Sequence, residues 1–308
     1  MKHQRPQALL AIFDSIYTRA TYNTDDTESK PHTTEGIMGL FENKVVIVTG
    51  GAMGIGRDTA LAFGHEDASV VIADVNREAS DAVVMAIEGA GGVARSIAAD
   101  VSRSEHCRRV VSETANSFGG VDVLFNNVGI QPISFYTDVV GTSEEMWDHI
   151  VAVNLRSVFL MAKYAIPRMR RRGGGVIINN ASVQGLQSMR KVPAYAASKG
   201  AVLSLTRAMA LDHALDNIRV VAICPGTIDT AMVRTAAAAL GSDIEETLTT
   251  WGAMHPLGRI GKGKDVAEAV LFLASDRASF ITGSFLCVDG GFMAQGAWAR
   301  GPGASASK

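Results

Sequence analysis

From Lys44 onward the chain alternates two hydrophobic patterns, and that alternation narrows its architecture more than any other feature. The runs KVVIVT (44–49), SVVIAD (69–74), VDVLFN (121–126), GVIINNAS (175–182) and IRVVAIC (218–224) are short, rich in β-branched residues and apolar almost without interruption. A strand covered on one face alternates apolar and polar residues, whereas unbroken runs belong to parallel strands covered on both. ARSIAAD (94–100) and SFLCVD (284–289) are weaker members of the same set. Between the runs lie stretches of helical period, such as NREASDAVVMAIEGA (76–90) and RSEHCRRVVSETANSFG (103–119). Strand and helix in turn over about 250 residues predict a single α/β Rossmann-type domain: a doubly wound parallel sheet of about seven strands, with helices on both faces. The domain is placed at residues 40–292. Residues 1–39 read as a poorly ordered extension, or as translation from a start upstream of Met38, and the Gly/Ala/Ser-rich residues 293–308 as a flexible tail.

Composition removes several classes of function. The 29 basic and 31 acidic residues leave a net charge of −2, so no footprint for nucleic acid or an anionic membrane is present. Cys107, Cys224 and Cys287 stand singly, without disulfide or metal spacing, and read as reduced core thiols. No apolar run approaches the roughly 18 residues of a membrane span, and the N-terminal segment lacks the features of a secretory signal. A soluble, cytoplasmic protein without a metal is expected. His149 and His255 are isolated, which assigns them surface or packing roles.

In a doubly wound sheet, ligands bind at the carboxyl ends of the strands, and the unusual polar residues of this chain fall there. The first strand leads into TGGAMGIG, where Gly50, Gly51, Gly54 and Gly56 would let backbone N–H groups and a helix N-terminus approach a phosphate. Asp74 ends the second strand at the distance suited to a ribose 2′-hydroxyl; a helix N-cap is the alternative, and the glycine turn favours the ribose. Asp100, after the third, is also cap-like. NNVG (126–129) follows the fourth. A capping box, Thr142-x-x-Glu145, then opens a helix whose apolar stripe runs Trp147, Ile150, Val151, Asn154, Val158 and Met161, so that Asn154 is buried and needs partners. Ser182 follows the fifth strand. In PAYAASKGA, Pro193 suits a first helical turn, and Tyr195 and Lys199, four residues apart, share one face of a stripe that continues through Val202, Leu205 and Met209. Gly200, costly inside a helix by about 1 kcal/mol against alanine, implies a close approach there.

TGGAMGIG, Asp74, NNVG, Asn154, Ser182, YAASK and PGTIDT, in this order over residues 40–292, resemble the classical short-chain dehydrogenase/reductases. The resemblance implies an NAD(P)-dependent oxidoreductase acting on CH–OH groups, interconverting a secondary alcohol and a ketone. It implies Tyr195 as acid/base and Lys199 as the residue that lowers its pKa and holds the nicotinamide ribose. Ser182 would bind the substrate oxygen and Asn154 a proton-relay water. Cofactor contacts would come from Gly50, Met53, Gly54, Ile55 and Gly56 at the pyrophosphate, with Asp74 at the adenosine ribose and Asp100–Val101 at the adenine. Asn127 and Gly129 would lie by the nicotinamide ribose, where Tyr195 and Lys199 also stand, with Ile228 and Thr230 at the carboxamide and phosphate. Asp74 would repel a 2′-phosphate and so favours NAD over NADP, with Arg57 and Arg77 read as solvated. A homotetramer, or a homodimer, built through the helices of Asn154 and Tyr195 is implied as well.

The substrate loops are placed at 131–140, 183–192 and, as a lid, 229–256, with Phe135, Tyr136, Met189, Met232, Trp251 and Met254 as adaptable apolar lining. They suit a small, neutral, fairly apolar alcohol or ketone, cyclic ones included, and Arg190 and Lys191 read as solvated. The rival readings are an NADP-dependent 3-ketoacyl-type reductase, disfavoured by Asp74, and a non-catalytic NAD(H) sensor or scaffold, disfavoured by the intact Ser/Tyr/Lys set. An epimerase or dehydratase of the extended branch would carry a tighter glycine spacing.

Overall fold

A computed structural model describes residues 39–241 and 243–296. The expected N-terminal extension, apart from residue 39, and residues 297–308 of the expected tail lie outside the described residues. Seven strands form one parallel sheet: β1 (Val45–Thr49), β2 (Ser69–Asp74), β3 (Val93–Ala98), β4 (Val123–Asn126), β5 (Gly175–Asn180), β6 (Ile218–Pro225) and, last in the chain, β9 (Phe285–Val288). Their order is β3-β2-β1-β4-β5-β6-β9, so the chain reverses its direction of winding between β1 and β4, which is where such sheets bind ligands. A separate two-stranded pair, β7 (Ile228–Asp229) with β8 (Gly261–Lys262), is too short to leave a periodic signal in the sequence.

The unbroken apolar runs are explained by two cores, one on each face of the sheet. Ile47, Val71, Leu124 and Ile177 pack with residues of α3 (Ser104–Phe118), α5 (Ser157–Arg171) and α6 (Pro193–His213). Their strand neighbours Val46, Val48, Val70, Phe125 and Ile178 pack with α1 (Gly54–His65), α2 (Arg77–Gly89) and α9 (Gly263–Ala274). Each such side chain, taken out of water, contributes about 2 kcal/mol, and it can do so only because both faces are covered. Helix α4 (Glu144–Val151) runs through a π-helical turn, Ala152–Arg156, into α5. By length and mean hydropathy this continuous helix could cross a membrane, although polar residues such as Asp148, Asn154 and Arg156 interrupt it. Its apolar residues Leu160, Met161, Ala165 and Met169 are buried in the first core instead.

Two details of α4 correct the sequence reading. The cap is Ser143, whose hydroxyl accepts from Met146 N (3.1 Å), because Thr142 Oγ1 is engaged by the preceding loop and donates to Asp138 O (2.7 Å). Trp147 does not join the buried stripe and is 41% exposed. Two short helices, α7 (Ala231–Leu240) and α8 (Ile244–Ala253), lie within the segment expected to form a lid.

Candidate active site

The turn after β1 is shaped by steric necessity. Gly50 and Gly54 have φ of +63° and +54°, in the left-handed region. A Cβ on Gly56 would overlap the Gly50 carbonyl oxygen, and one on Gly54 would come 3.1 Å from the Thr230 methyl group. Thr230, N-cap of α7 through its bond from Val233 N, is thereby brought against the turn, and Ile228 just before it is buried. Met53 is 54% exposed at the N-cap of α1, and Ile55 packs partly into the second core.

Beneath the turn lies a closed network of polar side chains. Asn127 donates through Nδ2 to Thr49 O (3.1 Å) and Gly50 O (3.0 Å), while its Oδ1 accepts from Asn180 Nδ2 (2.9 Å). Thr49 Oγ1 accepts from Asn127 N (2.9 Å). One layer deeper, Asn126 Nδ2 donates to Asn179 Oδ1, and Asn179 Nδ2 to Thr206 Oγ1, both at 2.9 Å and all buried. Asn127 thus fixes the glycine turn to β4. Thr49, Asn179 and Asn180 escaped the sequence reading; polar residues inside otherwise apolar strands were the available signal.

Asp74 is not a helix cap, for Asn76 caps α2 by accepting from Ala79 N. Its carboxylate instead accepts from Ala52 N in the glycine turn (3.1 Å) and from Asn76 N (2.9 Å). Arg57 and Arg77 pair with Asp58 and Asp81 on the surface. Asp100 caps a turn, accepting from Ser102 N and Oγ. The Val101 side chain is buried in the first core and its carbonyl accepts from Cys107 Sγ, so only its outer backbone edge is left for a ligand.

Across the cleft, α6 starts at Pro193 and carries Tyr195 and Lys199 on one face, with Lys199 Nζ 5.8 Å from the centre of the tyrosine ring. Lys199 is 3% exposed, donates to Asn180 O (2.7 Å), and stands where a Cβ on Gly129 would come within 3.1 Å of Nζ. Burial pushes its ammonium down to about 8. Burial pushes the Tyr195 hydroxyl up to about 12, against an opposing hydrogen bond from Ser182. The expected depression by Lys199 is not found: loss of solvent governs the tyrosine, and Ser182 is the group that opposes it. Ser182 is buried and caps the turn after β5 by accepting from Gln184 N (3.1 Å). The close approach expected at Gly200 comes from that same turn, where a Cβ on Gly185 would press to 2.8 Å against the Lys199 carbonyl group.

Asn154 is fully buried in the π-helical turn. Its Oδ1 accepts from Ile130 N (2.8 Å), and Nδ2 donates to Ile130 O (3.0 Å) and Ser198 Oγ (3.3 Å). Both amide hydrogens are spent on these bonds, so the side chain holds the loop after β4 against α6 and has none to donate to a relay water.

Next to Tyr195 is a small cavity lined by Gln131, Phe135, Tyr136, Met146, Ile150 and Val192, among others. Phe135 and Tyr136 stand where expected. Met146 and Ile150 were not foreseen as lining. Met189, Met232 and Met254 are largely exposed, and they and Trp251 stay outside this cavity. His149 packs edge-on against Phe135. His255 is buried, accepts from Thr227 N through Nε2 (3.2 Å) and bonds Trp251 O through Nδ1 (2.9 Å), tying the two ends of the lid together.

These features have counterparts in known proteins. Residues 50–293 match the family model described as enoyl-(acyl carrier protein) reductase. The chain is 39% identical to cyclopentanol dehydrogenase of Comamonas sp., over 83% of this chain and 100% of that one. It is 36% identical to 3-oxoacyl-(acyl-carrier-protein) reductase of Thermotoga maritima, over 82% and 99%. A solved short-chain dehydrogenase/reductase from Burkholderia xenovorans superposes with a TM-score of 0.79 at 36% identity, covering 84% of this chain and 99% of the other.

Proposed function

The chain belongs to the short-chain dehydrogenase/reductases, alcohol oxidoreductases that use a nicotinamide cofactor, and from that premise we propose that it interconverts a cyclic, neutral and fairly apolar secondary alcohol and its ketone with NAD. The observation that carries this reading is the meeting of Ser182, Tyr195 and Lys199 beside the glycine turn, with an apolar cavity against the tyrosine. The turn suits a dinucleotide on its own geometry, because its glycines leave room beside Thr230 and its helix N-terminus is positive.

The bound cofactor would supply or take up the hydride. Tyr195 Oη would exchange the proton with the substrate oxygen, which Ser182 Oγ hydrogen-bonds. Burial keeps Tyr195 protonated at neutral pH, the form that donates to a ketone oxygen; alcohol oxidation needs the phenolate, favoured by Lys199 and by the positive charge of the oxidised cofactor. Lys199 would also hold the nicotinamide ribose. The Asn154 side chain holds the loop after β4 in place, and a relay water would bond to its backbone carbonyl or to the second lone pair of Oδ1 rather than to Nδ2.

Asp74 supports NAD: its carboxylate is fastened to the glycine turn, where a 2′-phosphate would meet a like charge. Replacement Asp74→Ser should lower the NAD/NADP ratio of kcat/KM by about tenfold or more, read from reduced-cofactor absorbance with a panel of cyclic alcohols. The Thermotoga relative favours a second reading, NADP-linked reduction of a 3-ketoacyl thioester. Wild-type turnover confined to NADPH and such a thioester would replace the first reading with this one; NADH binding without turnover of either substrate class would leave a sensor. We further infer a cytoplasmic homotetramer or homodimer assembled through α4–α6, on which Trp147 and Phe159 are exposed; a monomer in light scattering would contradict the assembly.

A further inference from the structure

Folded proteins pair almost all their buried polar atoms, and the exceptions gather where a ligand completes the bonding. Among the described residues, three side-chain atoms are buried without a partner: Gln131 Nε2, Asn180 Oδ1 and Gln184 Oε1. All three belong to the loops and strand ends beyond β4 and β5, around Ser182 and Tyr195. Asn180 lies on the cofactor side, bonded to Asn127 and Lys199. Gln131 lies on the substrate side, and Gln184 in the turn that Ser182 caps. Gln131 lines the cavity together with Tyr195. Gln184 follows Ser182 by two residues, its backbone N–H donating to the Ser182 hydroxyl; its amide nitrogen has only the Met189 sulfur at 3.7 Å, a weak acceptor.

Leaving such atoms unpaired is unfavourable, and an apolar pocket for a plain hydrocarbon ring would not need them. One is a donor and one an acceptor, and a single substrate hydroxyl reaching both would satisfy them. We propose that Gln131 and Gln184 read a second oxygen on the substrate, so that the preferred substrates are cyclic secondary alcohols bearing a neighbouring hydroxyl, with the corresponding hydroxyketones as products. The inference rests on the alcohol–ketone reading above and narrows its substrate class from apolar alcohols to oxygenated ones. It also predicts opposite signs for stability and activity. Gln131→Leu removes an unpaired buried donor, so the ligand-free protein should melt higher while the oxygenated substrate is used less well.

The test compares cyclohexanol with the vicinal cyclohexanediols, following NADH formation by wild type, Gln131→Leu and Gln184→Met. Melting curves of all three proteins are recorded, together with ligand-observed NMR of diol binding, which does not depend on turnover. The expected result is a wild-type preference for a diol over cyclohexanol of about tenfold or more in kcat/KM. That ratio should fall about tenfold in either variant, with Gln131→Leu melting no lower than wild type. Equal use of diols and cyclohexanol by wild type would overturn the inference and leave the dehydrogenase reading standing. Diol binding that depends on Gln131, without turnover of any alcohol, would do the reverse. If neither variant changes the ratio, or wild type neither binds nor oxidises a diol, the glutamines do not read oxygen.

Discussion

Two neighbouring regions at the same edge of the sheet are built to different rules. Below the glycine turn, Thr49, Asn126, Asn127, Asn179 and Thr206 close a network in which each side chain has a protein partner. Around Ser182 and Tyr195, Gln131 and Gln184 bury atoms that have none. The first region holds its shape without any ligand, because its hydrogen bonds are already made in a site with little water. The second is left to be completed from outside. A nicotinamide enzyme needs both: a rigid cradle for a cofactor common to many reactions, and a recognition surface whose bonding is finished only by the right substrate.

The comparison can be broken most forcefully at Gly56. Alanine there would drive a Cβ into the Gly50 carbonyl oxygen and toward Asn127 Nδ2, so the turn must move. A loss of about 3 kcal/mol or more in urea unfolding is expected, with NADH binding abolished. Next comes Asn179→Leu, which strands Asn126 Nδ2 in the core and leaves Thr206 Oγ1 only its bond to Val202 O. Its expected cost is about 2–3 kcal/mol, and a shift under about 0.5 kcal/mol would show that the ladder is not the rigid half of the site.

Lys199 sharpens the contrast through pH. Its value in the folded protein, about 8, lies below the ordinary lysine value of about 10.4. The folded state therefore binds fewer protons across that interval, and the residue's contribution to stability is lowest below about pH 8 and rises towards about pH 10.4. Lys199→Met should accordingly exceed wild type in unfolding free energy near neutral pH, with the gap closing as pH rises through this window. A gap independent of pH would contradict a buried ammonium whose pKa is lowered by loss of solvent. The smallest effect is expected on the lid. Arg234 bonds Asp229 and Glu245 there, but in solvent, so Arg234→Ala should change stability by less than about 1 kcal/mol.

Much of this was legible in the residues. The seven strands could be read because β-branched runs such as KVVIVT and SVVIAD feed two cores at once, and the strand ends then indicated where Asp74, Ser182, Tyr195 and Lys199 would gather. What could not be read depended on which of two eligible groups had another partner. Thr142 and Ser143 are both good caps, and the Asp138 carbonyl took the first. Asn154 was expected to be buried, but its bonds to Ile130 and Ser198 are set by a π-helical turn that no sequence period announces. The direction of the Tyr195 shift was missed for a related reason: helical spacing places a lysine one turn away, but says nothing of how much water remains.

The account rests on Tyr195 as the group that trades a proton with the substrate oxygen. The most direct measurement is the single-turnover rate of NADH formation from cyclopentanol and a vicinal cyclohexanediol, by wild type and by Tyr195→Phe, with NADH binding followed separately by fluorescence. The account predicts NADH formation by wild type and a slowing of about 100-fold or more in the variant, which should still bind NADH. Comparable rates in the two proteins would contradict it.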